Sequence, residues 1–320
     1  MNIQRLFNAG IKYISSSEYR FIINANMGKY RNMPDEEYLK KMYKAYIGKP
    51  LNLEEPKTFN EKLQWLKLYD HKTEYTRMVD KYKVRDYVRK QLGNEYLIPL
   101  LGVWDDPKEI DLNKLPDQFV LKCNHNSGLG MCICKDKSKL NFKQVKKELQ
   151  KGLKQNYYLT SREWPYKNVT RKIIAEKYMT DDGKDELTDY KFFCFDGYVD
   201  CVMVCIQRQT GFPKFYFFDR EWNLLRYNIL GKKAQDNFTL PKPGCIDDMF
   251  RIASILSKNK PFTRIDLYSC NRKIYFGEIT FFPDSGFDKN ILPEIDEYWG
   301  NLIDLEEVKK NDKPYNRFSD

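Results

Sequence analysis

The chain is nearly without histidine. Only His71 and His125 occur in 320 residues, which argues against a histidine-built metal site and against a Ser-His-Asp hydrolase. Glycine and proline are sparse too, at 16 and 14, so collagen-like and low-complexity classes are excluded. No apolar run approaches the roughly eighteen residues that a membrane-spanning helix needs. The start of the chain lacks the charged, apolar and small-residue succession of a secretory signal. Neither a span nor a signal is therefore expected. Eight cysteines stand at 123, 132, 134, 194, 201, 205, 245 and 270, and none form CxxC. Several alternate in strand-like runs such as Met131-Cys132-Ile133-Cys134, which predicts buried reduced thiols in a cytosolic chain.

Aromatic residues are plentiful, with 23 Tyr and 20 Phe, enough to build a large core or two to three subdomains. Lys and Arg exceed Asp and Glu by 55 to 45, a net charge of +10. That excess suggests an anionic partner: nucleotide, acidic glycan, nucleic acid or lipid surface. It does not choose among them.

Residues 1–30 read as an amphipathic helix, resting on the domain or lying at a membrane interface. A clearer helix follows Pro34, with Asp35, Glu36 and Glu37 at its positive end and Gly48 at its stop. Thr58-Phe59-Asn60-Glu61 has capping-box spacing and predicts a helix from Phe59 to Tyr69. Another is expected from Val79 to Leu92. From Gln118 the pattern becomes mixed. Strands are expected at 119–123, 131–134, 172–179, 190–195, 198–207, 214–218 and 224–228, with helices at 141–155 and 246–258. Asp196-Gly197 signals a tight hairpin. A last hairpin spans 262–269 and 273–280, and the tail after Asp304 is expected to fray.

Three places carry candidate chemistry. In the last hairpin a turn near Arg272 sets Asp266 opposite Glu278 and Arg264 opposite Thr280. Paired carboxylates across a ladder repel; a bound Mg²⁺ would reverse that cost, while a solvated charged face is the plain alternative. Lys122 precedes the polar loop 124–130, where an ammonium and loop N–H groups suit a phosphate. That loop is neither a Walker nor a dinucleotide motif, and taken alone it reads more readily as a plain hairpin loop. Glu176, the backbone of Lys177 and Tyr178, and then Asp189 and Lys191 have the types and spacing to read a base, a ribose and a phosphate. A surface salt pair is the alternative there.

Their order along the chain resembles the ATP-grasp enzymes, and more closely the TupA-like ATP-grasp family of polysaccharide-biosynthesis loci (capsule, teichuronopeptide). The closer resemblance rests on Thr58 through Trp65, Asp80-Lys81-Tyr82, Leu121 through His125, Arg162-Glu163-Trp164, Ile173 through Tyr178, Asp189 through Gly197, and Gly277 through Gly286. It covers roughly residues 35–300. The resemblance implies an α+β ATP-grasp fold, with two α+β subdomains clamping ATP after a helical N-terminal region. The implied division is a helical region at 1–57, the start of the catalytic domain at 58–117, a small lid subdomain at 118–180, a large metal-bearing subdomain at 181–304 and a tail at 305–320.

The implied reaction is ATP- and Mg²⁺-dependent carboxylate–amine ligation through an acyl phosphate. Lys81 (or Lys83) and Lys122 would then contact phosphates, and the loop from Asn124 through Ser127, Gly128 and Gly130 would close over them. Glu176, Lys177 and Tyr178 would read adenine. Asp189 would meet the ribose or a phosphate, and Lys191 a phosphate or the substrate. Asp266, Glu278 and Thr280 would hold Mg²⁺, and Arg264 would stabilise the acyl phosphate. Thr280 departs from the family's usual Asn. Asp284 and Ser285 are candidates for acceptor contacts only, and no residue is identified as the aminolysis base. The implied partners are an acidic glycan or its lipid-linked precursor and an amine donor such as an amino acid or peptide, without nucleic acid. The implied place is the cytoplasm, with contact at the inner membrane face left open. Two competing classes remain at this stage: a metal-dependent glycosyltransferase, for which Asp181-Asp182 is the sole DxD-like element, and a non-enzymatic binder of anionic polymer.

Overall fold

The computed structural model describes residues 10–180, 187–207 and 210–311. The first nine residues of the expected N-terminal helix, the Asp181-Asp182 pair and the end of the tail lie outside them. The chain forms two compact units. Of the described residues, one gathers those within 10–71, 158–164 and 282–311, and the other those within 72–157 and 165–281.

The first unit is helical. Ser16 caps the helix Ser17–Asn26, its Oγ accepting from the Tyr19 N–H. The helix Asp35–Ile47 begins after Pro34 and ends at Gly48, whose φ of 83° is the left-handed stop that glycine tolerates. It buries Tyr38, Leu39, Met42 and Tyr43. The helix Phe59–Tyr69 carries both halves of the capping box between Thr58 and Glu61. Helices Pro293–Asn301 and Leu305–Asn311 follow later in the chain, so the start of the expected frayed tail is helical.

A polar knot ties three segments of this unit. Lys67 is 2% exposed. Its ammonium donates to Gln64 Oε1 at 3.0 Å, Ser161 O at 3.0 Å and Ser285 O at 2.6 Å, and it lies 4.5 Å from the Phe287 ring centre. Buried Glu163 accepts from Ser161 Oγ and Ser285 Oγ. The knot holds the turn Pro283–Gly286, where Asp284, Ser285 and Gly286 all have positive φ. These bonds account for Gln64 and Glu163 within their motifs. They are structural contacts, made because an ammonium taken out of water must find acceptors.

The second unit contains two antiparallel sheets. The smaller has the order β1-β4-β2-β3, with β1 at Leu100–Trp104, β2 at Phe119–Cys123, β3 at Met131–Cys134 and β4 at Ile173–Lys177. β1 lies outside the strands expected from the sequence. Phe119, Leu121 and Cys123 alternate inward and pack with Ile173, Ala175 and Leu149. The helix Phe142–Lys154 covers that face, burying Leu149, Gly152 and Leu153. The larger sheet has the order β10-β9-β5-β6-β7-β8. Here β5 is Asp189–Phe195, β6 Tyr198–Ile206, β7 Lys214–Phe218, β8 Leu224–Leu225, β9 Thr263–Cys270 and β10 Lys273–Thr280. The helix Ile246–Ser257 packs on one face, with Phe250 edge-on to Phe192 at 5.1 Å.

Asp196 and Gly197 take positive φ in the β5–β6 turn, as the two-residue hairpin requires. The helix expected over 79–92 is observed as the shorter Val84–Gln91, and a separate helix at Thr73–Val79 was not expected. Between them Asp80 Oδ1 accepts from the N–H groups of Tyr82 and Lys83. All eight cysteines are free, and six are buried.

Burial pushes the Lys67 ammonium from 10.5 down to about 7, with Glu163 partly offsetting it. Between those values the unfolded chain binds more protons, so this group adds stability as pH rises from 7 towards 10.5. The melting temperature of the wild type relative to Lys67→Met should therefore climb from pH 7 to pH 9. A flat difference would show that Lys67 does not titrate in this window.

Candidate functional site

The site grows from register. Residues directly opposite on antiparallel strands share a face. On the large sheet Asp266 pairs with Lys191 on one side and with Glu278 on the other. Arg264 pairs with Thr280, and Asp189 with Tyr268. All of them stand on the face opposite the Ile246–Ser257 helix. A bulge makes this possible. Near the turn Tyr275 pairs with Tyr268, and the ladder slips by one residue between Phe276 and Glu278. Without that extra residue Glu278 would sit on the opposite face. The expected pairing of Asp266 with Glu278 is observed, although the turn lies at Asn271-Arg272 and the bulge supplies the missing residue.

Gly277 occupies the bulge because nothing larger fits. A Cβ there would come within 2.9 Å of the Tyr268 ring and 3.0 Å of Asp266 O.

Asp266 is 2% exposed. Arg264 grips it in fork geometry, with Nε at 2.7 Å from Oδ1 and Nη2 at 2.9 Å from Oδ2. Lys191 donates to Oδ2 as well and lies 3.7 Å from Asp189. The same Arg264 Nη2 reaches Glu278 Oε1 at 3.3 Å and Thr280 Oγ1 at 3.2 Å, and Thr280 donates to Glu278. Lys81 approaches Glu278 at 3.6 Å. Burial alone would raise the Glu278 carboxyl, but Lys81, Arg264, Lys191 and Lys122 outweigh it and bring it down to about 2. Burial pushes the Tyr268 phenol well up, and Asp189, Glu278 and Asp266 add to that.

The smaller sheet supplies the rest. Lys122 pairs with Met131 and Ile174, and Val120 with Ile133 and Glu176. These residues share the face away from the covering helix. Lys122 Nζ is 2.6 Å from Glu176 Oε2, and Arg85 Nη1 is 3.4 Å from Glu176 Oε1. Met131 and Ile133 are half exposed, at 50% and 53%. They form an apolar strip beside the Lys122–Glu176 pair. Arg85, Met131, Ile133 and Tyr268 were absent from the expected site. The alternation of β3 was the available signal for Met131 and Ile133. No local signal marked Arg85.

The 124–130 loop divides into a fixed half and an exposed half. Asn124 is fully buried. Its amide donates to Asp80 Oδ1 at 2.8 Å and Thr170 O at 2.9 Å, and its Oδ1 accepts from Lys172 N at 2.7 Å. Its carbonyl takes the Lys81 N–H. His125 Nε2 meets Gln155 O at 3.1 Å, and burial takes this imidazole down to about 4. Lys81 Nζ donates to Asn126 O at 2.9 Å. Lys83 is exposed and outside this group. Ser127 and Gly128 are exposed at the tip. Gly130 is buried against the covering helix, where a Cβ would lie 2.9 Å from Gly152 Cα. Lys177 is exposed, and its N–H donates to Pro99 O. Tyr178 follows at the end of β4. Asp284 and Ser285 belong to the helical unit's turn.

Together five cations (Lys81, Arg85, Lys122, Lys191, Arg264) face four carboxylates (Glu176, Asp189, Asp266, Glu278). One positive charge is in excess, which suits a polyanion. The oxygen set of Asp266, Glu278 and Thr280 suits a hard divalent cation that completes its shell with water and phosphate oxygens.

The bulge yields a direct test. Gly277→Ala should destabilise the unit by about 1–3 kcal/mol through overpacking against Tyr268, measured by urea unfolding. Unchanged stability would show that the bulge accommodates a side chain.

A search of curated proteins returns no match. Among solved structures, D-alanine–D-alanine ligase from Bacillus anthracis complexed with ATP is similar at a TM-score of 0.40 and 14% identity, covering 73% of this chain and 64% of that one. The Helicobacter pylori D-alanine–D-alanine ligase gives a TM-score of 0.43 and 11% identity over 79% and 66%. ATP-grasp ligase PsnB, complexed with a phosphomimetic variant of its minimal precursor, Mg and ADP, gives 0.38 and 10% over 78% and 65%. The chain spans just under two thirds of each, and at these TM-scores the likeness carries no argument about chemistry. The family profile described as TupA-like ATPgrasp matches residues 61–304. That match covers well over half of the sequence and includes every candidate site residue, so the chain belongs to the TupA-like ATP-grasp family and has its α+β fold.

Proposed function

We propose that this chain is an ATP- and Mg²⁺-dependent carboxylate–amine ligase. The observation that carries the reading is the face-to-face set of Lys81, Lys122, Lys191 and Arg264 around Asp266 and Glu278. Phosphoryl transfer needs positioning and cationic stabilisation more than covalent help from the protein, and this set supplies both.

In this reading Lys81 and Lys122 exchange their carboxylate partners for phosphate oxygens when nucleotide enters. Exposed N–H groups around Ser127 and Gly128 close over the phosphates. Asn124 and Gly130 act from behind, fixing the base of that loop. Val120, Met131 and Ile133 offer an apolar wall to the adenine ring, while Glu176 and the backbone at Lys177 and Tyr178 read its edge. Asp189 takes the ribose or a phosphate-side role. Asp266 and Glu278, with Thr280, would hold Mg²⁺, which supplies charge neutralisation on the phosphate oxygens. The substrate carboxylate takes the γ-phosphoryl group and ADP departs. Arg264 and Lys191 stabilise negative charge on the resulting acyl phosphate. An amine then attacks the acyl carbon, loses a proton and expels phosphate, leaving an amide.

For the acceptor we propose an acidic glycan of a cell-surface polysaccharide or its lipid-linked precursor, with an amino acid or peptide as amine donor and a cytoplasmic site of action. The family and the charge excess of +10 support this choice. Among the described residues no helix is long and apolar enough to cross a membrane.

Thermal melting separates the classes, because a ligand of the native state raises its apparent stability. ADP or an ATP analogue should raise the melting temperature, and Mg²⁺ should add a further increment. Mg²⁺ alone should do nothing, since Asp266 is already held by cations. Glu278→Gln should lose the Mg²⁺ increment, and Lys122→Met should weaken nucleotide binding with or without metal. A response to UDP-sugar in place of ATP would overturn the ligase in favour of a transferase. No response to any nucleotide would leave a binding protein. For the acceptor, ADP release should depend on adding an acidic glycan, and Arg264→Gln should slow it by about 100-fold or more.

A further inference from the structure

The helix Phe142–Lys154 turns Leu149, Gly152 and Leu153 inward. Its outer side is a stripe of lysine. Lys143, Lys147, Lys151 and Lys154 recur at i, i+4, i+8 and i+11, all exposed, and so line one side over about 16 Å. Lys135, Lys137, Lys139 and Lys146 extend the charge. Between residues 135 and 157 eight lysines meet two acids, Asp136 and Glu148. This one segment therefore holds an excess of six positive charges, out of ten for the whole chain.

An ordinary solvated helix face looks different, as this protein itself demonstrates. On the helix Asp35–Ile47, Lys40 pairs with Glu36 at 2.6 Å and Lys41 with Glu37 at 2.7 Å. On the lysine helix only Lys151 has such a partner, Glu148 at 2.7 Å. Among the described residues no carboxylate pairs with Lys143, Lys147 or Lys154. Like charges at i and i+4 oppose helix formation, as Lys143–Lys147 and Lys147–Lys151 do. Lys143 also stands in a first turn without any acid, at the positive end of the helix dipole. Three local preferences are overridden in the same direction.

We propose that this lysine face docks on an anionic lipid bilayer. The side chains favour that partner over a single polymer strand. Arginine recognises individual carboxylates and phosphates through its fork, whereas lysine is a flexible, hydrated point charge suited to a smeared potential. The stripe contains no arginine and no exposed large apolar side chain. The back of a helix is convex and offers no walls to enclose a strand, while a flat leaflet meets the whole stripe at once. The contact is electrostatic and without insertion, so it should weaken steeply with salt. It stands apart from the ligase reading and does not depend on it.

The test is co-sedimentation of the full chain with vesicles. One set is phosphatidylcholine alone and another is rich in phosphatidylglycerol; soluble polygalacturonate serves as a glycan probe. The protein should bind the phosphatidylglycerol vesicles and not the neutral ones. Affinity should fall about tenfold or more between roughly 0.05 and 0.3 M salt. The variant Lys143→Gln/Lys147→Gln/Lys151→Gln/Lys154→Gln should lose binding by a similar factor while melting no lower than the wild type. A control with equal net charge, Lys214→Gln/Lys232→Gln/Lys233→Gln/Lys242→Gln, removes exposed lysines elsewhere and should bind as the wild type does. Equal loss in both variants, or no vesicle binding, would overturn the proposal. Capture of polygalacturonate without capture of vesicles would also overturn it and make the face a glycan reader.

Discussion

Asp266 is a carboxylate taken almost wholly out of water in the middle of a sheet. Burying such a group is costly unless cations and hydrogen bonds replace its hydration. Arg264 and Lys191 do so here, and each is placed by its own strand. This arrangement constrains everything around it. Glu278 must share the face to receive the same guanidinium, and the ladder slips at Gly277 to put it there. Tyr268 fills the space above the glycine. The candidate metal site is therefore assembled and charge-compensated before any ligand arrives. The carboxylates proposed for the metal and the cations proposed for the substrate belong to one interacting set.

The smaller sheet shows a comparable division of labour. One face is a core of Phe119, Leu121, Ala175 and Leu149; the other carries Lys122, Glu176 and the apolar strip of β3. The loop between β2 and β3 is anchored at both ends by different means. Asn124 is bound to Asp80 and Lys172, and Gly130 is pressed on Gly152. The tip at Ser127, Gly128 and Leu129 is exposed. The Asp80 carboxylate also accepts from the Tyr82 and Lys83 N–H groups just before the helix that carries Arg85, and its neighbour Lys81 donates its N–H to Asn124. One buried contact thus sets the positions of a phosphate-binding candidate, the base of the loop and the partner of Glu176.

Much of this was legible in the chain. The capping box at Thr58, the Asp196-Gly197 turn and the alternation of the last hairpin all act within a few residues, and each appears where expected. The pairing of Asp266 with Glu278 was read correctly for an incomplete reason. A turn placed half a residue late compensated for a bulge that alternation alone does not reveal. The helix expected over 79–92 starts later, at Val84, because residues 81–83 form a turn. In that turn Asp80 Oδ1 accepts from Tyr82 and Lys83 N–H and from Asn124, more than forty residues away, which the local period does not show. Met131 and Ile133 were visible as strand residues but looked like ordinary alternation, since nothing local says which face of a strand will meet a ligand.

By itself the sequence determined most of the elements, the hairpin partners and the family, because periodicity, caps and turn residues act over one or two turns of chain. Only the tertiary structure decided which charges share a site. Lys81, Lys122, Lys191, Arg264 and Glu278 are spread over nearly two hundred residues, on four strands and one turn. Their mutual compensation is a matter of Coulomb energy at a few ångströms in a partly dry interior. That energy depends on where the strands lie side by side, and linear spacing does not contain it.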